Sequence, residues 1–152
     1  KTTTEDVLKT YDFHLRNKGF VYELKDSGPV WVLADREAFM EAFINLIDNA
    51  IKYSMDTKRL EISLLAEKDF GLLIVQDFGI GISKQDQKHV FDKFYRVSSG
   101  NLAKTSGTGL GLSLVKQLMD AQQGRITVES EVGKGSCFTL YFPLQKTTTL
   151  HG

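Results

Sequence analysis

With a single cysteine, Cys137, the chain cannot close an internal disulfide, which excludes a disulfide-stapled secreted scaffold. Cys137 lies in an alternating apolar stretch and reads as a buried core thiol of a reducing compartment. No apolar run approaches the roughly 20 residues of a membrane-spanning helix, and no signal peptide opens the sequence. Net charge is lacking as well: 19 Lys and Arg balance 19 Asp and Glu. No overall field therefore draws the chain to nucleic acid or an anionic membrane, and a small or local ligand is favoured. The three histidines, His14, His89 and His151, form no cluster with Cys and carboxylates at ligand spacing, so a structural metal is not indicated. No internal repeat is visible. The first residue is Lys rather than Met. The chain is expected to be a cytoplasmic piece of a longer protein, whose other parts could hold a membrane anchor.

What is present suits one globular domain, residues 1–146, with a frayed tail at 147–152: the 152 residues are 41% hydrophobic and 25% charged, enough to bury a core. Val7, Leu8, Tyr11 and Leu15 recur at helical spacing over residues 4–18. Short strands are expected at 20–24 and 30–34, separated by turn residues that include Gly28 and Pro29. A long helix capped by Asp35 runs to Tyr53, with Phe39, Phe43, Leu46, Ile47 and Ala50 toward the core. A hairpin follows, residues 60–67 and 72–77, with Ile62, Leu64, Leu72 and Ile74 facing a core. Beyond it come a short helix at 83–91 capped by Ser83, a Gly-rich segment at 97–109 read as a lid, a helix at 110–122, and strands at 125–130 and 137–142. Helices and strands in this mixed order favour a two-layer α/β sandwich whose sheet carries three helices on one face.

Three stretches carry chemistry. GTGLGLSLVK (107–116) sets glycines in front of a helix. Its spacing fits neither a P-loop nor a Rossmann fingerprint. It keeps what they share, free backbone N–H groups at a helix N-terminus with the dipole behind them, which suit phosphate oxygens. DFGIGI (77–82) places a carboxylate at a strand end followed by two glycines, without the other signatures of a protein kinase of the DFG type. On the long helix, Asn45, Asn49 and Lys52 share one face, where carboxamide oxygens can ligate Mg²⁺ and an ammonium can meet phosphate.

Together these stretches resemble the catalytic, ATP-binding domain of two-component sensor histidine kinases, in the GHKL superfamily with its Bergerat fold. FINLIDNAIKYS (43–54) resembles the N box, DFGIGI the G1 box, VFDKFYR (90–96) the F box and GTGLGLSLVK the G2 box, in the family's order. The resemblance implies a mixed, mostly antiparallel sheet covered on one face by three helices. It implies ATP and Mg²⁺ as ligands, with Asp77 on the adenine N6 amine, Gly79, Gly81 and Ile82 beside the nucleotide, and Thr139 of the closing strand near the base. Asn49, with Asn45, would hold the metal; Lys52 and Tyr53 would touch phosphate and nucleotide; Gly107, Thr108, Gly109, Leu110 and Gly111 would present N–H groups to the phosphates. Phe91 and Phe94 would anchor the lid, and Arg96 would steady the transferring phosphoryl group.

The implied activity is transfer of the γ-phosphoryl group to a histidine on a separate dimerisation domain of the parent protein, with a response regulator downstream. His14, His89 and His151 each lack the surroundings of a phosphoacceptor. The fragment is expected to be monomeric and its parent a homodimer. The alternatives are a GHKL-type ATPase and a nucleotide-sensing interaction module. Such ATPases carry a water-activating glutamate one helical turn before the metal-binding asparagine, where this chain has Asn45.

Overall fold

The computed structural model describes residues 2–26, 32, 34–54, 57–93 and 111–144. In chain order these form α1 (Thr2–Asn17), β1 (Val21–Asp26), α2 (Arg36–Tyr53), β2 (Arg59–Glu67), β3 (Phe70–Asp77), α3 (Lys84–Gln87), α4 (Gly111–Ala121), β4 (Arg125–Glu131) and β5 (Gly135–Pro143). The five strands build one sheet in the order β1-β2-β3-β5-β4. β1 pairs with β2 in parallel, as a connection through a helix allows, and the remaining pairs are antiparallel. Of the strand expected at 30–34, Val32 makes an isolated antiparallel bridge to Leu144, and residues 30, 31 and 33 lie outside the described residues.

Alternation along each strand sends one set of side chains to the helices. Leu60, Ile62 and Leu64 of β2, Leu73 and Val75 of β3, and Phe138, Leu140 and Phe142 of β5 are buried against Phe43, Leu46, Ile47 and Ala50 of α2, Val7, Leu8 and Leu15 of α1, and Val115 and Met119 of α4. Leu72 is buried as expected, but the register separates it and Ile74 from this core. Ile62 stands opposite Val75 and Leu64 opposite Leu73, and cross-strand partners share a face, so Leu72 and Ile74 occupy the other side of the sheet. Cys137 joins them there: it is half-buried opposite Gln76, outside the core it was assigned to. Burial, with Glu129 nearby, raises its thiol pKa, which makes it less reactive.

Asp35 caps α2, its Oδ2 accepting from Ala38 N–H at 3.0 Å, while its own N–H donates to Gln122 Oε1 at 2.9 Å. Asp35→Ala is expected to cost about 1 kcal/mol in urea unfolding, with Asp35→Ser close to wild type, because only the first change removes the acceptor for an otherwise unpaired helix N–H. α3 is shorter than the sequence suggested. Ser83 caps it as expected, but after Gln87 the chain continues in turns, with His89 N–H bonded to Asp86 and Asp92 N–H to His89. Phe91 sets its ring edge-on to Phe138, with centroids 6.4 Å apart, and so packs onto the core.

Candidate functional site

The end of β3 meets the end of α2. Asp77, the last residue of β3, points to the helix-covered face and is 2% exposed. Its Oδ1 accepts two backbone hydrogen bonds, from Gly79 N–H at 3.0 Å and from Ser136 N–H at 3.2 Å. Burial raises its pKa, and the two N–H donors oppose that shift without cancelling it. Among the described residues both bonds fall on one oxygen, Oδ1, which leaves Oδ2 to an incoming donor.

The two glycines after Asp77 are required by the chain's own packing. A Cβ on Gly79 would lie 2.1 Å from the Tyr53 carbonyl oxygen, and one on Gly81, whose φ is +77°, 2.1 Å from that of Glu131. The room a side chain would need is taken by the chain's own backbone. Ile80 N–H donates to Tyr53 O at 3.2 Å, and Gly133 N–H to Ile80 O at 2.7 Å, so the turn is wedged between α2 and the β4–β5 connection. Ile82 is likewise a core residue, 5% exposed, with its N–H bonded to Ser130 Oγ at 2.7 Å.

α2 brings Asn45, Asn49, Lys52 and Tyr53 along one side, all partly buried. The Lys52 ammonium lies 5.5 Å from the centre of the Tyr53 ring. Asn45 Nδ2 donates to Glu41 O at 2.8 Å, which orients its carboxamide. Its Oδ1 then stands 3.5 Å from where a Cβ of Gly111, the first residue of α4, would be. The helix N-terminus therefore abuts a fixed carboxamide oxygen. Asp48, the nearest carboxylate on α2, faces elsewhere: its Oδ2 accepts from Tyr11 OH of α1 at 3.4 Å. Burial raises the Asp48 pKa, with the Tyr11 hydroxyl and His14 acting in the opposite sense.

The fold thus brings together Asp77, Gly79, Gly81 and Ile82 with the end of α2, and Asn45 with Gly111. Thr139 does not join them. It pairs with Ile74 and Thr127 on the face of the sheet away from the helices, so its expected place beside the base is corrected. The residue of β5 that meets Asp77 is Ser136, 4% exposed, which the sequence reading passed over. Ser136 shares the parity of Phe138, Leu140 and Phe142, and Thr139 does not, which the cross-strand register makes visible. Phe94, Arg96, the segment 97–109 with Gly107, Thr108 and Gly109, Leu110, and the tail lie outside the described residues. His14 lies edge-on to the Tyr11 ring, and His89 Nδ1 is 2.9 Å from Asp92 Oδ2; both histidines are exposed. Among the described residues no helix is long and apolar enough to cross a membrane.

Residues 34–146 match the model of the family described as histidine kinase-, DNA gyrase B-, and HSP90-like ATPase. The sensor histidine kinase RppB of Synechocystis sp. is 38% identical over 125 residues, 82% of this chain and 28% of that protein. The sensor protein RprX of Bacteroides fragilis is 41% identical over 125 residues, 81% of this chain and 24% of that protein. The chain therefore spans about a quarter of the length of these relatives. Among solved structures, the Acinetobacter baumannii histidine kinase AdeS superposes with a TM-score of 0.75 at 30% identity, covering 96% of this chain and 65% of that one. The mycobacterial sensor histidine kinase MprB superposes with a TM-score of 0.80 at 25% identity, covering 95% and 97%.

Proposed function

The chain belongs to the family of histidine kinase-, DNA gyrase B- and HSP90-like ATPases, and on that premise we propose that it binds Mg-ATP and transfers the γ-phosphoryl group to a histidine on a separate dimerisation domain of a parent sensor kinase. A response regulator would receive the group next, and the parent would act as a homodimer. The base would sit at Asp77, whose Oδ2 accepts from the exocyclic amine of adenine; guanine would set its O6 acceptor against the same oxygen. The triphosphate would extend from there to the N-terminus of α4, whose first residue is Gly111.

Carboxamide oxygens are hard donors that suit Mg²⁺, and the ion accepts one or two protein ligands beside phosphate and water. Asn45 fits this demand, because its Nδ2 is spent on Glu41 O and its Oδ1 is turned toward α4. Asn49, one turn further on, would be the second ligand. When bound, Mg²⁺ supplies charge neutralisation between the phosphates. The chain's own residues orient the nucleotide: Asp77 fixes the base, Lys52 meets phosphate, and the α4 N–H groups hold the far end. Arg96 would steady the phosphoryl group in flight.

The observation that favours a kinase over a hydrolase is the pair Asn45 and Asp48. A water-activating base would have to stand near the phosphates, yet a carboxamide cannot take the proton, and the neighbouring carboxylate is engaged with Tyr11 on α1. Steady-state hydrolysis by the chain alone tests this. Turnover is expected below about one per minute, well under the roughly 1–100 per second of active kinases. Rapid hydrolysis would favour an ATPase.

A further inference from the structure

Ser130 stands on β4 opposite Ser136 of β5, and its hydroxyl takes part in three hydrogen bonds. It accepts from Ile82 N–H at 2.7 Å, contacts the Gly135 carbonyl oxygen at 2.8 Å and lies 2.7 Å from Ser136 Oγ. A hydroxyl has one proton and two lone pairs. The Gly135 carbonyl can only accept, so the Ser130 proton is committed there. Toward Ser136, then, Ser130 can only accept, and Ser136 must spend its own single proton on Ser130. What remains on Ser136 Oγ is its lone pairs. Ser136 lies beside Asp77 on the helix-covered side of the sheet, with its N–H on Asp77 Oδ1 at 3.2 Å. Gln87 Nε2 holds the arrangement from outside, donating to Ile82 O at 2.7 Å and to Ser130 O at 3.0 Å.

We propose that Ser130 is a positioning residue for base selection: by consuming the Ser136 proton it makes Ser136 Oγ an acceptor beside the Asp77 carboxylate, so that these two side chains offer the base acceptors only. A purine with an amino group at C6 finds partners there. The O6 of a 6-oxo purine meets lone pairs on both, and the Ser136 hydroxyl has no proton left to turn toward it. This inference rests on the reading of Asp77 as the group that meets the base.

Calorimetric titration of the whole chain with Mg-ATP and with Mg-ITP, whose base carries a 6-oxo group, tests it. The wild type is expected to prefer ATP by about 100-fold. Ser130→Ala should cut that preference about tenfold, because Ser136 regains a proton that can turn to the 6-oxo group, and Ser130→Thr should restore it. If Ser130 merely braced the fold, Ser130→Ala would weaken both nucleotides together and leave their ratio unchanged, which would overturn the proposal. Should Ser130→Ala not fold, Ser136→Ala removes the second acceptor and is expected to narrow the ratio similarly; an unchanged ratio there also overturns it. A wild type that binds both nucleotides equally would defeat the reading of Asp77 and this inference with it. Wild-type selectivity that persists in Ser130→Ala defeats the inference alone.

Discussion

Asp77→Asn is expected to weaken ATP binding on the order of 100-fold while leaving the domain folded. The carboxylate accepts Gly79 N–H and Ser136 N–H on the same oxygen, Oδ1, and an asparagine can keep both bonds with its own carbonyl oxygen. Its amide nitrogen must then take the place of Oδ2 and present protons to the adenine amine, donor against donor. Calorimetry would read the lost affinity, and thermal unfolding the retained fold.

The stability of the wild type relative to this variant has a defined pH dependence. Burial raises the folded pKa of Asp77, so the fold favours its protonated form. Its favourable contribution is fully present below the ordinary carboxylate value and is lost as pH rises through the raised folded value. The carboxamide that replaces it in Asp77→Asn has no proton to lose. Between those two values the unliganded wild type should lose stability relative to Asp77→Asn as pH rises, and above them the variant should be at least as stable. A variant markedly less stable than wild type at neutral pH would mean that the ionised carboxylate stabilises the fold.

Asn49→Ala is expected to lower phosphoryl transfer about 1,000-fold, with a smaller loss in ATP affinity. Asn49 lies one turn beyond Asn45 on α2, whose C-terminal end packs on the Asp77–Gly81 turn. Removing its carboxamide takes away an oxygen donor for the metal without opening the core, since Ala42, Phe43, Leu46, Ile47 and Ala50 form the buried stripe of this helix. Asn49→Asp keeps an oxygen donor and should recover part of the rate. Single-turnover labelling at saturating ATP separates the chemical step from binding. A rate in Asn49→Ala within a few-fold of wild type would remove Asn49 from the site.

The parts of this molecule that were legible in the sequence are those where one period dominates. α2 is an amphipathic helix with a capping aspartate, and its limits, its buried face and its line of Asn45, Asn49 and Lys52 all follow from spacing of about 3.6 residues. The strands were legible as strands but not as faces. In β5 apolar residues stand at both parities, Cys137 and Tyr141 against Phe138, Leu140 and Phe142, so pattern alone cannot say which set is inside. Cross-strand register decides it, and register is a long-range property. The same ambiguity put Leu72 and Ile74 into one core with Ile62 and Leu64, and left unchecked the place beside the base that the resemblance implied for Thr139, while Ser136 fell just before the strand expected at 137–142. Gly79 and Gly81 stood out in the sequence as two glycines just after the strand-end carboxylate. Their close neighbours, the carbonyls of Tyr53 and Glu131, are brought there only by folding. Ser130 carried no signal of its own, because its meaning lies in the hydroxyl across the strand pair.

The central claim is transfer to a histidine outside this chain, and the most direct measurement is the fate of γ-labelled ATP when the chain is mixed with the histidine-bearing dimerisation domain of its parent. Label is expected on that domain in an acid-labile, base-stable linkage, absent when its histidine is replaced and nearly absent with Asn49→Ala. Release of inorganic phosphate at the same brisk rate with or without the histidine-bearing domain, and no label on it, would contradict the claim.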